Sequence, residues 1–529
     1  MESTSHVPKY KQVHGTFSFR EGSFLDIPIN KVALYEVFKM KKKILGFFKS
    51  IGDFFKNFGA AVSGYFKDFG VAVARGDAAV KSSMLFMGAG YFARKQIIKG
   101  ILMMILEALF VLMCIVYAAP NLAKFGTLGT VQFEQTFDPL TMQSTINDYD
   151  NSFTILLNCI VALFLIFVFV LIYIHNIKAV YQLQQKAAAK KHINTFKEDL
   201  KEMVGSKFHI TLLTLPTIGV VIMNILPILV LIAVAFTNYD QNHMPPGALF
   251  TWVGFQNFKN LFTSSVTITF GYAFKKVLSW TLVWAVLATF TTFLGGIFLA
   301  KLINSKTTKF PKMWRTLFIV SIAVPQFVTL LLVRNFFADA GIVNTICSNL
   351  GITDFLKDIG LVSAGLNYIP FLTNPTWAKV MIILINIWVG VPYQMLIATG
   401  VLMNIPEDQI ESARIDGASN FQIFWKITMP CVLFIQGPAL ITDFVKNINN
   451  FNVIYLLTQD VYITPDQALA NSNAKEVDLL VTWLFRLTNE YYNYKMASVI
   501  GIIVFVICAI FTLISFSRMI AGNREEDFQ

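Results

Sequence analysis

Charge is scarce in this chain. Of 529 residues only 14% are Asp, Glu, Lys or Arg, whereas 55% are hydrophobic. With a mean hydropathy of +0.58, that excludes an ordinary soluble protein of several domains and points to a polytopic membrane protein. Histidine is scarce too. His6, His14, His175, His192, His209 and His243 fall outside the apolar runs, and neither H-E-x-x-H nor C-x-x-C occurs, so no metal site is expected. The chain has no G-x-x-x-x-G-K-[ST] loop to cradle ATP phosphates and no G-x-S-x-G to present a nucleophile. No enzyme activity and no cofactor are expected. Five cysteines cannot all pair. Cys114, Cys159, Cys431 and Cys508 lie in or beside apolar runs and only Cys347 in a connecting segment, so no disulfide framework is implied. No apolar run and no small-residue cleavage pattern stand near Met1, so insertion is expected to rest on internal spans rather than a secretory signal.

What the chain does have is long apolar runs. A membrane-crossing helix needs about 20 mostly apolar residues. Eight runs qualify: roughly Ile98 to Ala119, Phe153 to Ile174, Leu212 to Phe236, Val277 to Ala300, Leu317 to Phe337, Trp377 to Met403, Cys431 to Leu457 and Met496 to Phe516. The net charge of +11 could suggest nucleic acid, but the Lys and Arg residues cluster beside these runs and read as topology signals. The N-terminal region, His175 to His209 and Lys301 to Arg315 are basic and are expected in the cytoplasm. Ala119 to Asn151 carries only Lys124 and Ala338 to Thr376 only Lys357, so both are expected outside. Eight crossings then return the C-terminus, with Arg518 and Arg524, to the cytoplasm.

Residues 1–96 are expected to form a cytoplasmic region. Its first thirty residues are polar and mixed. From Tyr35 to Phe69 phenylalanines recur at helical spacing behind Lys41, Lys42 and Lys43, as in a basic amphipathic helix on the inner leaflet; a small cytoplasmic hairpin burying the same stripe is the alternative. Residues 97–210 hold two spans and a basic linker, 211–517 the remaining spans, and 518–529 a tail. Glu107 within the first span is expensive unless it faces protein.

Three polar stretches interrupt the apolar pattern. The sixth span contains Asn386, Gly390, Pro392 and Tyr393, and the seventh contains Asp443, Lys446, Asn447, Asn449 and Asn450. Gly390 and Pro392 are expected to loosen the helix, and the amides supply donors and acceptors that match hydroxyls. Asp443 and Lys446, three residues apart, are expected to pair. Transport sites are often built on such broken helices, although Asn and Gly also serve as interhelical glue. The third stretch is Asn404 to Pro430. Asn404 with Glu407 and Pro406 predicts a helix start, Asp416-Gly417 a turn, and Phe421, Phe424, Trp425 and Thr428 one face of a second short helix before Pro430 opens the next span. That hairpin either lies in the interface or docks a protein.

Glu411, Ala413, Asp416, Gly417, Ala418, Phe424, Ile427 and Pro430 reproduce E-x-A-x-x-D-G-A and I-x-x-P at their spacing, with Ser412 and Met429 as mild departures. In this the loop resembles the EAA coupling loop of binding-protein-dependent ABC importers. Trp252 to Phe262, WVGFQNFKNLF, resembles an external motif of the larger membrane subunit of maltose/maltodextrin permeases. The resemblance covers about three fifths of the chain. It implies a six-helix type I importer core preceded by two extra N-terminal spans, all α. It further implies that the eight loop residues seat in an ATPase subunit, which alone supplies ATP hydrolysis.

The partners so implied are a homologous second permease, two ATP-binding cassette subunits, an extracytoplasmic solute-binding protein, a carbohydrate substrate and membrane lipid, in a bacterial cytoplasmic membrane; nucleic acid is not among them. The resemblance also implies that the sugar touches Asn386, Val389, Gly390, Tyr393, Asp443, Lys446, Asn447 and Asn450. Lys446 stands where an aromatic ring is usual and Asp443 where a small polar residue is usual. The segment between the third and fourth spans is too short for a large extracytoplasmic insertion domain. An importer of another carbohydrate, such as a glycerol phosphate, is the near alternative; an ion-coupled carrier using Glu107, Asp443 and Lys446 as a relay is the distant one.

Overall fold

Peptide groups in hydrocarbon have no water to bond, so runs of Leu, Ile, Val and Phe satisfy their backbones as long helices. The computed structural model is accordingly helical, with a single hairpin among the described residues, which are 52, 56–57, 59–139, 142–263, 269–305, 307–459, 461 and 466–522. The polar N-terminus and nearly all of the amphipathic stretch up to Phe58 lie outside them. Among the described residues seven helices are long and apolar enough to cross a membrane, and a bent pair, taken as one span, is an eighth. They are α1 (Ile97–Ala123), α2 (Ser152–Ala188), α3 (Phe208–Val234), α4 (Phe270–Ile303), the pair α5 (Pro311–Ala323) and α6 (Gln326–Phe336), α7 (Pro375–Leu402), α8 (Glu407–Ile415, not itself a span), α9 (Met429–Ile448) continued by α10 (Phe451–Leu457), and, after α11 (Leu480–Asn489), α12 (Tyr494–Gly522).

Several local expectations are corrected. The fifth span is not straight: α5 and α6 meet at 92°. Val324 is extended (φ −76°, ψ 127°), as the residue before a proline prefers, and Pro325 caps α6. The sequence places Pro216 and Pro227 within the third span, where they are expected to interrupt it, but they do not interrupt α3. Its helix continues through a π-helical turn at Val221–Ile225, a wider turn that accommodates the missing Pro227 N–H. Pro392 lies inside α7 without ending it. The seventh span is the one that breaks, at Asn449 and Asn450, where Asn450 Oδ1 accepts the Val453 N–H at 3.3 Å and caps α10. Its start differs too. No separate short helix precedes it, because Asn420–Ile423 runs through a π turn at Phe424–Thr428 into α9, with Pro430 in the first turn.

α4 is the spine. Its most apolar stretch is 44% buried, against 6% for α1 and α3, so α4 sits inside the bundle while those two lie on its flank. One face of α4 buries Ala273, Phe274 and Val277 with Trp483 of α11 and Ile500 of α12. Farther along, Trp284 and Ala288 join Ile382 and Ile385 of α7 and Val453 of α10, and then Phe293 and Ile297 meet Met395 and Ala398 of α7 and Val432 of α9. Burial of such side chains contributes about 1.5–3 kcal/mol each relative to exposure in water. Within a bilayer the gain comes instead from close contact between helices.

Outside the bundle, Gln135–Asp138 (β1) pairs antiparallel with Gln143–Ile146 (β2), Gln135 opposite Ile146 and Asp138 opposite Gln143. Asp150 anchors the base of this hairpin: it accepts Lys124 Nζ at 2.6 Å and the N–H groups of Thr130 and Val131 at 2.9 and 3.1 Å. Trp252 Nε1 donates to the Phe125 carbonyl at 2.8 Å, and Asn257 donates to the carbonyls of Ala235 and Thr237. The motif around Trp252 therefore ties the two loops and α3 together.

Candidate functional site

A cavity of about 1000 Å³ opens beside α7 and α9. All eight residues named above for substrate contact, Asn386, Val389, Gly390, Tyr393, Asp443, Lys446, Asn447 and Asn450, line it. Helical spacing explains the α7 set: Asn386, Val389, Gly390 and Tyr393 fall at i, i+3, i+4 and i+7, one stripe of the helix. The cavity exists where it does because α4 and α7 approach closely while the α5–α6 bend holds the opposite wall away. A Cβ on Gly390 would stand 2.8 Å from Thr292 Cγ2, so only glycine permits this contact without a shift. The bend contributes Ser321, Val324, Pro325 and Gln326 to the lining.

The amides are held from behind. Asn447 donates its side-chain N–H to Thr289 Oγ1 at 3.0 Å, and its carbonyl accepts Trp284 Nε1 at 3.1 Å. Asn450 donates to Asn447 Oδ1 at 3.3 Å while its own oxygen caps α10. Asn386 is 7% exposed. Tyr393 and Trp388 are 49% and 61% exposed, so two rings and several fixed amides face the space. This is the chemistry that suits a polyol: ring faces for the C–H surface, and amides that donate and accept at fixed angles.

Asp443 and Lys446 do not pair. The Asp443 carboxylate accepts a 2.6 Å hydrogen bond from Gln394 Nε2, across to α7, and no ion pair joins it to Lys446, which is exposed in the cavity. Residues three apart on a helix diverge by about 60°, and Gln394 stands on the side where Asp443 points. Gln394, Thr289 and Trp284 escaped the sequence reading. A polar residue beside Tyr393 in an apolar span was the only available signal for the first; Thr289 and Trp284 carry none, since their partners lie over 150 residues away. Pro325 was a visible signal for the bend.

The hairpin at 404–430 is a separate site. Asn404 does not cap it; α8 starts at Glu407 with Pro406 at its N-cap and no side-chain cap bond. Gly417 has φ +81°, and the Ala418 N–H returns to the Ala413 carbonyl at 2.9 Å, closing the helix end. Ser419 and Gln422 form a reciprocal capping box, at 3.3 and 2.8 Å, that starts the next helix. Phe424 packs inward on the α4–α7 cluster with Lys301 Nζ 4.8 Å from its ring. Ile427 is half-buried, and Ala413 and Ala418 are too. Glu411, Asp416 and Pro430 are exposed, as are Ile415 at 86%, Phe421 at 72% and Trp425 at 48%. Inward residues fix the hairpin on the bundle and outward ones present an apolar and acidic surface.

Residues 292–522 match the family model described as a binding-protein-dependent transport system inner membrane component. The galactooligosaccharides transport system permease protein of Bacillus subtilis (strain 168) is 35% identical over 424 residues, 79% of this chain and 93% of that protein. The maltodextrin transport system permease protein of Streptococcus pneumoniae is 31% identical over 442 residues, covering 83% and 95%. Among solved structures, a bacterial ABC transporter involved in import of the acidic polysaccharide alginate aligns with a TM-score of 0.45 and 24% identity over 61% of this chain and 98% of that one, too distant to bear on substrate. On this identity and coverage the chain belongs to the family of binding-protein-dependent inner membrane permeases of ABC importers that includes the galactooligosaccharide and maltodextrin permeases.

Proposed function

We propose that the cavity beside α7 and α9 is the translocation site for a neutral oligosaccharide of the maltodextrin or galactooligosaccharide kind. The chain is the permease subunit of a carbohydrate importer, and the one observation that carries the site is the convergence of Asn386, Tyr393, Asn447 and Asn450 on one cavity with their amides braced from behind. Ligand pockets run to about 300–1000 Å³, so the space accommodates several sugar units. A homologous second permease, two ATPase subunits and an extracytoplasmic binding protein complete the assembly. In the cycle, the binding protein delivers sugar, ATP closes the ATPase dimer, and the 404–430 hairpin passes that closure to α9, with which it is continuous, and so to the cavity wall. Both termini and the hairpin then lie in the cytoplasm. The ion-relay alternative fits less well, since Glu107 stands on α1 and accepts the Met87 N–H at 2.9 Å, while Asp443 and Lys446 face the cavity on α9.

The test is uptake of a panel of labelled sugars by the assembled importer. Asn447→Ala and Tyr393→Ala should reduce uptake at least tenfold at unchanged expression, because each leaves buried sugar groups unmatched. Lys446→Phe should shift preference toward maltodextrins by supplying a stacking ring. Wild-type rate and preference in all three would place the sugar elsewhere.

A further inference from the structure

Residues 75–96 climb α2 and descend again. At the foot, the Asp77 N–H donates to Gln184 Oε1 at 2.9 Å, and Gln184 Nε2 donates to the Arg75 carbonyl at 3.3 Å. Farther up, Asn176 Nδ2 donates to the Met87 carbonyl and the Tyr173 hydroxyl to the Met84 carbonyl, at 3.2 and 2.9 Å. On the way down, Gly90 faces Val180, where a Cβ would stand 2.3 Å from Cγ1, and Gln96 Nε2 donates to the Asn194 carbonyl at 2.7 Å. Tyr173 and Gln184 are eleven residues apart on α2, which places the apex about 16 Å above the foot at 1.5 Å per residue.

α1 gives the same height independently. The Met87 N–H donates to Glu107 Oε2 at 2.9 Å, and Gly88 lies against Gly100 and Met104, a Cβ there being 2.2 Å from the Gly100 carbonyl oxygen. The apex therefore sits beside residues of two spans. The apolar run of α2 extends to Ile174, so the apex at Tyr173 stands at the edge of the hydrocarbon layer and the foot some way outside it. Helices Ala78–Ser82 and Ala89–Phe92 form the two limbs. At the turn between them Leu85 is 70% and Phe86 53% exposed, two large apolar side chains that nothing among the described residues covers.

We infer that residues 75–96 form a re-entrant hairpin whose tip, Leu85 and Phe86, is immersed in the acyl chains of the leaflet beside Tyr173. Three observations select lipid as the occupant. The tip stands at the depth of the hydrocarbon edge. The face of α1 at the tip's level and deeper, with Ile105, Leu109 and Leu112 50%, 58% and 57% exposed, is the lipid-facing surface of a span, and the tip continues it. The cations Arg75, Lys81, Arg94 and Lys95 lie on the limbs and at their foot, at the level of anionic head groups. Inside the hairpin Ser83 Oγ accepts the Gly90 N–H at 2.7 Å and Arg94 pairs with Asp77 at 2.8 Å, while Gln96 Oε1 and Asn176 Oδ1, both below or beside the tip, are the buried oxygens left without a partner among the described residues. That leaves the two exposed side chains apolar and the enclosed backbone bonded, as insertion requires. The proposed orientation of the spans makes this the inner leaflet; the depth does not rest on it.

The experiment uses the full chain with its five cysteines replaced, carrying Leu85→Cys or Phe86→Cys labelled with a polarity-sensitive fluorophore and reconstituted into phosphatidylglycerol-containing vesicles. Lys190→Cys, beyond the end of α2, is the aqueous reference. Nitroxides placed high on the lipid acyl chains should quench both tip positions at least threefold more than the reference, and iodide should quench them less. Quenching by acyl nitroxides no stronger than at position 190 would overturn the inference, whether the emission showed a wet tip or one covered by protein. Agreement of two adjacent tip positions guards against a single misfolded variant. Labelling from one side of the vesicle reports the leaflet separately, so an error in orientation is distinguishable from an error in depth.

Discussion

A Cβ on Gly296 would stand 2.4 Å from Gln394 Cβ and 2.7 and 2.9 Å from backbone atoms of Gln394 and Met395. Nothing flexible can yield there, because two of the three obstacles are the main chain of α7. Gly296→Leu should therefore force α4 and α7 apart, at a cost of about 1–3 kcal/mol or more, and lower the thermal midpoint of the purified chain. Gly400→Leu, on α7 with nothing within 4 Å, is the control and should leave the midpoint unchanged. Equal midpoints for the two would show that the close approach is not limiting.

Asp150 is a second residue-scale case, outside the membrane. The Lys124 ammonium, and after it the Thr130 N–H, hold its carboxyl at about 2, below its ordinary 3.8. A carboxylate depressed in the folded state contributes stability that is full above the unfolded value and is lost as pH falls from about 4 through about 2. Asp150→Asn should thus lower the thermal midpoint at pH 7, and the gap from wild type should narrow as pH falls below 4. A gap independent of pH would mean that the charge is not what anchors the loop.

The 404–430 hairpin is the element where local chemistry and long-range function meet. Gly417 has open space around it, so its requirement is conformational: φ of +81° costs an L-residue about 1–2 kcal/mol, and proline cannot adopt it at all. The Gly417 N–H also bonds to the Arg414 carbonyl at 3.0 Å, which proline would remove. Gly417→Pro and Glu411→Lys should both abolish sugar uptake and reduce co-purification of the ATPase subunit while the chain remains in the membrane. Normal retention of that subunit with undiminished uptake in both would remove the coupling role. Asn420–Ile423 runs into α9 without a break, so the second limb of the hairpin is continuous with the span that carries Asp443 and Asn447.

At the scale of the whole molecule, the expected orientation in the membrane is open to chemical labelling. Single cysteines in place of Ser144 on β2, Ser363 between α6 and α7, and Asn420 after α8 are all exposed positions, introduced in a cysteine-free chain. The first two should react with an impermeant thiol reagent in intact cells and the third only after permeabilisation. Equal labelling of all three would contradict the orientation. The low burial of α1 and α3 is a property at this scale as well, since both present apolar faces that the described residues do not cover.

The sequence by itself determined what periodicity and local chemistry encode. Eight apolar runs had to become helices because hydrocarbon offers peptide groups no other partner; α1, α2 and α7 begin at Ile97, Ser152 and Pro375, almost where the runs do, while α4 already begins at Phe270 and α2 runs on to Ala188. The turn at Asp416-Gly417 and the stripe from Asn386 to Tyr393 were legible for the same reason, since a helix or turn reads residues within about seven of each other. Tertiary structure decided everything that depends on a distant partner. Gln394 takes Asp443 from Lys446, Thr289 and Trp284 brace Asn447, and the 92° bend at Val324 and Pro325 opens the cavity that these residues line. Those contacts join residues 49 to 163 positions apart, and which of them meet is set by how closely two helices can approach, not by the local order of the chain.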